Sequence, residues 1–131
     1  MSKITPPVTE IQTKLNGSIA DVPIIHTLYQ TYVSWHSLVL KFPKSERYTL
    51  GQTCDIQLLE TIEALVIAAA TSHKEAKLQQ LRKASAKLDL LRLLIRLCKD
   101  CKCLSNGAYL ELESNLHKAG KMLGGWLKSL S

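Results

Sequence analysis

The sequence predicts an all-α fold, an antiparallel up-down four-helix bundle preceded by a flexible N-terminal arm. Three observations carry that expectation. Leu, Ala, Lys and Glu dominate while aromatic residues make up only 5%, a balance that favours helices over a β sandwich. Apolar residues recur at spacings of three and four in separate stretches, the mark of amphipathic helices. The links between those stretches are short, which makes antiparallel neighbours the natural packing.

Residues 1–20 hold Pro6-Pro7 and Asn16-Gly17 without sustained periodicity, and read as the arm. Residues 21–131 form the bundle. Asp21 and Pro23 mark the first helix start, since Pro suits the first turn and Asp accepts free amide hydrogens. Ile25, Leu28, Tyr32, Trp35, Val39 and Phe42 then make a stripe that Pro43 ends.

Ser45 is expected to cap the second helix, whose stripe is Leu58, Leu59, Ile62, Leu65, Val66 and Ala69. Ser72 with Glu75 fits a capping box for a third helix running to about Cys103. Ser105 caps the fourth, with Leu104 and Tyr109 placed as a hydrophobic staple, and its stripe is Leu112, Leu116, Ala119, Leu123, Trp126 and Leu130. Gly124-Gly125 inside that helix marks either a fraying end or the close approach of another helix.

At 131 residues the chain can bury a core without disulfides or metal. No apolar h-region follows the first residues, and the longest apolar run, 64–70, is far short of a membrane span. A cytoplasmic protein with reduced thiols is expected, with no membrane contact. Cys98-x-x-Cys101-x-Cys103 lacks a second pair at ligand spacing, so small thiols outweigh a metal site.

The charge is concentrated. Between His73 and Cys103, nine basic and three acidic residues account for the whole net charge of +6. None of the nine has an acidic residue four positions before it, the arrangement that best neutralises a base on a helix. Arg92, Arg96 and Lys99 share one face, and Lys74, Lys77, Arg82 and Lys83 extend the positive strip. Such a strip is either a solvated outer face or a polyanion surface that touches mainly phosphates. The same helix carries more apolar arc than one core requires; Leu90, Leu93 and Leu97, with Gly124 and Gly125, are the candidate subunit contacts. No Glu-x-x-His pair, phosphate-binding Gly loop or nucleophile elbow is present. Neither catalysis nor a cofactor is expected.

Three stretches taken together carry a resemblance: 42–52 (FPKSERYTLGQ), 87–97 (KLDLLRLLIRL) and 121–130 (KMLGGWLKSL). From 24 to 130 the chain resembles the accessory variability determinant (Avd) proteins of diversity-generating retroelements. These belong to the wider four-helix-bundle group that includes proteins encoded in 23S rRNA intervening sequences. The resemblance implies a homo-oligomer, a pentameric barrel. It also implies that the protein binds the retroelement's reverse transcriptase and its template RNA or RNA/DNA hybrid, supporting mutagenic cDNA synthesis. Arg92 and Arg96 fall in the Leu-rich motif; the other basic residues rest on charge alone. The alternatives are an rRNA-associated bundle without a polymerase partner and a pure protein–protein scaffold.

Overall fold

In the computed structural model, which describes residues 19–131, a short 3-10 turn at Ile19–Asp21 leads into four long helical rods. Residues 1–18 of the expected arm lie outside the described residues. The rods are α1 (Pro23–Val39), α2 (Lys44–Glu46, a π-helical stretch Arg47–Gly51, then Gln52–Ala70), α3 (Lys74–Asp100) and α4 (Asn106–Ser129). Each packs on the next and α4 closes back on α1, with the seam between α2 and α3 the most extensive. No strand occurs among the described residues.

On α3 the buried residues Leu81, Ala84, Leu88, Leu91, Ile95 and Cys98 alternate by three and four. That 3.5-residue period is the repeat of helices coiled gently to the left. Cys54, Leu58, Thr61, Leu65 and Ala68 repeat it on α2. Each buried leucine contributes roughly 2 kcal/mol relative to exposure. Two threonines enter the core because their hydroxyls are satisfied locally: Thr31 Oγ1 donates to the Thr27 carbonyl and Thr61 Oγ1 to that of Gln57, both at 2.7 Å. The α2 stripe therefore runs through small residues, and Leu59, expected inside, is exposed.

Helix ends depart from the expected caps by a residue or so. The N-cap of α1 is Val22, without a side-chain bond, and Pro23 takes the first helical position as expected. α1 ends at Val39, before Phe42 and Pro43 are reached. Pro43, not Ser45, occupies the N-cap of α2, because its extended backbone turns straight into the helix. His73, not Ser72, caps α3: its Nδ1 accepts from the Ala76 amide at 3.3 Å. Because the helix starts one residue later, Glu75 cannot close a capping box. Ser105 caps α4 as expected, accepting from the Ala108 amide at 3.1 Å, and Leu104 and Tyr109 pack on the core.

α3 stops at Asp100 rather than Cys103. The Cys103 amide donates to the Cys98 carbonyl (2.8 Å) and the Lys102 amide to that of Lys99 (2.9 Å). This is a Schellman motif, and Lys102 holds the left-handed position that usually takes glycine, with φ 65°.

The stretch 42–52 builds the corner between α1 and α2. Phe42 is buried edge-on against Trp35, with ring centroids 5.5 Å apart. Trp35 Nε1 donates to Asp55 Oδ1 at 3.2 Å, which satisfies the one polar atom of a buried indole. Arg47 Nη2 donates to the Leu40 carbonyl at 2.8 Å, filling an acceptor freed where α1 ends. Gly51 sits under this corner: a Cβ there would lie 2.8 Å from Val39 Cγ2.

Candidate nucleic-acid interface

The repeat on α3 determines where its charges point. With the core seam at Leu81–Ala84–Leu88–Leu91–Ile95–Cys98, Arg92 and Lys99 stand on the flank nearest α4, and Lys87 on the flank nearest α2. Arg82, Lys83 and Arg96 face outward.

The flanking bases have partners. Arg92 Nη2 donates to Glu113 Oε2 at 2.6 Å and lies 3.5 Å from His117 Nδ1. The hydrogen bond it donates to Glu113 holds the Arg92 pKa above its ordinary value. Both side chains are about a third exposed (33% and 29%), so the pair contributes about 1 kcal/mol at most. Lys99 Nζ lies 4.9 Å from the centroid of the Tyr109 ring, a cation–π contact across the same seam. Lys87 Nζ bonds Glu60 Oε1 at 2.7 Å. The Lys87 hydrogen bond holds the Glu60 carboxyl below its ordinary range.

Lys77 is drawn inward. Its Nζ donates to the Ala68 carbonyl at 2.7 Å, a second bond on an oxygen that also accepts the Thr71 amide in the last turn of α2, and lies 5.7 Å from the Trp126 ring. Desolvation lowers its pKa. Arg82 reaches Glu75 only at 3.8 Å with both side chains mostly exposed, a contact worth little.

Three of the seven candidate bases stand open: Lys74, Lys83 and Arg96 are exposed and, among the described residues, in no ion pair within 4 Å. Arg96 borders a groove of about 290 Å³ whose other lining residues are Asp89, Arg92, Leu93, Tyr109 and Glu113. Arg92 and Arg96 thus share a groove but not a state. One is braced by a carboxylate, the other free.

Beside Arg96 runs an apolar ridge. Leu90, Leu93 and Leu97 follow i, i+3, i+7 on the outer face of α3 and are 43%, 63% and 44% exposed. Gly124 and Gly125 are also exposed, and a Cβ at either would meet nothing within 4 Å. Among the described residues no other helix packs against them. The glycine of α4 that does lie at a seam is Gly120, where a Cβ would stand 3.7 Å from Arg92 Nη1.

Sequence reasoning assigned no role to Glu60 or Glu113, which spacing within their own helices leaves on the surface. Glu60 and Glu113 instead reach across seams to Lys87 and Arg92. The signal available was the flank each occupies once the core repeat is placed. Sequence reasoning also missed that Cys54 and Cys98 meet inside the α2/α3 seam, Sγ to Sγ 3.6 Å apart. Burial and the Cys54 contact push the Cys98 thiol well above its ordinary pKa. Among the described residues no three His, Cys, Asp or Glu side chains are grouped to hold a metal ion. No described helix is long and apolar enough to cross a membrane.

The family described as bAvd-like matches the chain over residues 24–130. No curated protein matches it closely.

Proposed function

The chain belongs to the bAvd-like family, and from that premise we propose that it is a non-catalytic accessory subunit of a diversity-generating retroelement. In this reading it works in the cytoplasm, binds the reverse transcriptase and the template RNA, and so supports mutagenic cDNA synthesis. Copies assemble through the leucine ridge of α3 into a closed ring of five.

The observation that carries the reading is the pairing, on one outer face, of unneutralised cations with exposed leucines. Arg96 and Lys83 flank the ridge; Lys74, exposed at the first position of α3, adds charge at that end of the helix, in register with the seam residue Leu81. Cations left without carboxylates attract phosphates through space and bind them by releasing counterions. A few contacts per chain make a weak site; repeated around a ring they gain avidity. The half-buried Arg92, braced by Glu113, shapes the groove wall. Arg96 supplies the available charge.

The test is filter binding of template RNA to the intact protein at low and moderate salt. Each phosphate neutralised adds about 0.7 to the log–log salt slope for a single strand. The triple variant Lys74→Glu/Lys83→Glu/Arg96→Glu should bind at least about tenfold more weakly and flatten the slope. Its helical circular dichroism should be unchanged, because none of the three is in an ion pair. Equal binding by the variant rejects the RNA surface. Affinity capture with the reverse transcriptase of the same retroelement tests the polymerase arm; capture no greater than that of an unrelated reverse transcriptase rejects it.

A further inference from the structure

All four cysteines of the chain come from two places in the sequence, and the fold brings them to one end of the α2/α3 seam. Cys54, early in α2, and Cys98, in the last turn of α3, are both fully buried with their sulfurs 3.6 Å apart. Cys101 and Cys103 flank the left-handed residue that ends α3; the first is exposed and the second half-buried. Cys103 is tied to Cys98 through the backbone: its amide donates to the Cys98 carbonyl at 2.8 Å, which sets the two residues side by side at the end of α3.

We propose that Cys54 and Cys98 are a disulfide-forming pair that staples α2 to α3, loaded from solvent through Cys103.

A disulfide requires sulfurs about 2.05 Å apart, so the two side chains need only close by some 1.5 Å from their present contact. Both stand in the best-packed seam of the bundle, which holds them face to face. Their burial is the obstacle. Neither sulfur meets an oxidant dissolved in the solvent directly. Cys103 removes the obstacle because it is reachable on one side and adjacent to Cys98 on the other. Its position just past the end of α3 also places it where a helix opens most readily.

The chemistry is thiol–disulfide exchange with a small-molecule disulfide as oxidant. The Cys103 thiolate attacks that disulfide, forms a mixed disulfide and releases one small thiol. Cys98 attacks the Cys103 sulfur and expels the second small thiol. Cys54 then attacks the Cys98 sulfur, which forms the Cys54–Cys98 bond and returns Cys103 as a thiol. The protein loses two hydrogens; the small disulfide is reduced to two thiols.

Trypsin separates all four cysteines. Cleavage after Lys and Arg leaves Cys54 in 48–74, Cys98 in 97–99, Cys101 in 100–102 and Cys103 in 103–118. The full chain is incubated in native buffer with oxidised glutathione, alkylated, digested and weighed. The expected product joins 48–74 to 97–99, with 100–102 and 103–118 alkylated. Cys103→Ser should slow its appearance at least about tenfold while Cys101→Ser leaves the rate unchanged, as exchange through one relay thiol requires. The oxidised protein should melt about 10 °C higher than the reduced one, the gain expected when a loop of this length is closed without strain.

Three results overturn the proposal. The first is an end product that joins 97–99 to 103–118 with Cys54 alkylated, or no link at all. The second is a rate indifferent to Cys103→Ser. The third is a linked protein that melts lower than the reduced one, which would mean the bond had trapped an unfolded form.

Discussion

Replacing Gly51 by alanine should destabilise the bundle although the residue is helical. The Cβ would stand 2.8 Å from Val39 Cγ2, 3.3 Å from the Glu46 carbonyl oxygen and 3.4 Å from Phe42 Cδ2. Carbon atoms rest best about 3.5 to 4.0 Å apart, so the valine contact is short by roughly an ångström. Val39 is β-branched and half-buried at the end of α1, with little rotamer freedom to yield. Overpacking of this kind costs about 1 to 3 kcal/mol. Against it stands the gain of about 0.4 to 1 kcal/mol from stiffening the unfolded chain. The net loss is then about 1 to 2 kcal/mol, or a melting point lower by roughly 4 to 8 °C for a domain of this size.

Thermal melts and urea unfolding of wild type and Gly51→Ala measure it, with the urea slope unchanged. Val39→Ala in the same chain should remove most of the penalty, so the double-mutant cycle gives a coupling of about 1 kcal/mol or more. Gly124→Ala and Gly125→Ala are the controls. A Cβ at either meets nothing, so each should raise stability by about 0.5 to 1 kcal/mol. A Gly51→Ala protein as stable as wild type, or one not rescued by trimming Val39, refutes the account of the corner.

Three other outcomes follow from the geometry. Lys102→Gly should stabilise by roughly 0.5 to 1 kcal/mol in urea unfolding, since a lysine there holds a left-handed backbone that glycine adopts freely; a loss would reveal an energetic contact of the side chain. The Glu60 carboxyl, held down by Lys87, contributes stability above its ordinary value of 4.5 that is lost as pH falls through its lower folded value. An NMR titration should show that pKa rising in Lys87→Met, and no change would mean the ion pair is not populated. Leu93→Glu should split the assembly into folded monomers by solution mass measurement; an intact oligomer would place the subunit contact elsewhere.

The fold was legible because its signals are repetitive. Leu81 through Cys98 repeats every three or four residues, and Ser105 stands before its helix with nothing competing for the cap. The cap of α3 was misplaced because Ser72 and His73 are adjacent and both accept hydrogen bonds; only the backbone turn decides between them. The candidate site was half legible. Periodicity puts Arg92 and Arg96 near one another, yet whether each is neutralised depends on Glu113, 21 residues from Arg92 in sequence and on another helix. The same holds for Lys77, whose spacing reads as part of a charged strip while its ammonium is bound to a carbonyl of α2. Charge along one rod is a property of that rod. Availability belongs to its neighbours.

The wide turn at Arg47–Gly51 makes chain length matter at this corner. A five-residue loop of backbone bonding holds one residue more than an α-turn needs. Deleting a single position among 47–50 would let the rod run on as an ordinary helix, unbroken and no less hydrogen-bonded. Everything upstream would then swing by about 100° around its axis. The guanidinium that ties off α1 and the phenylalanine set edge-on to Trp35 would face away from their places. The corner should therefore tolerate a change of side chain far more readily than a shortening by one.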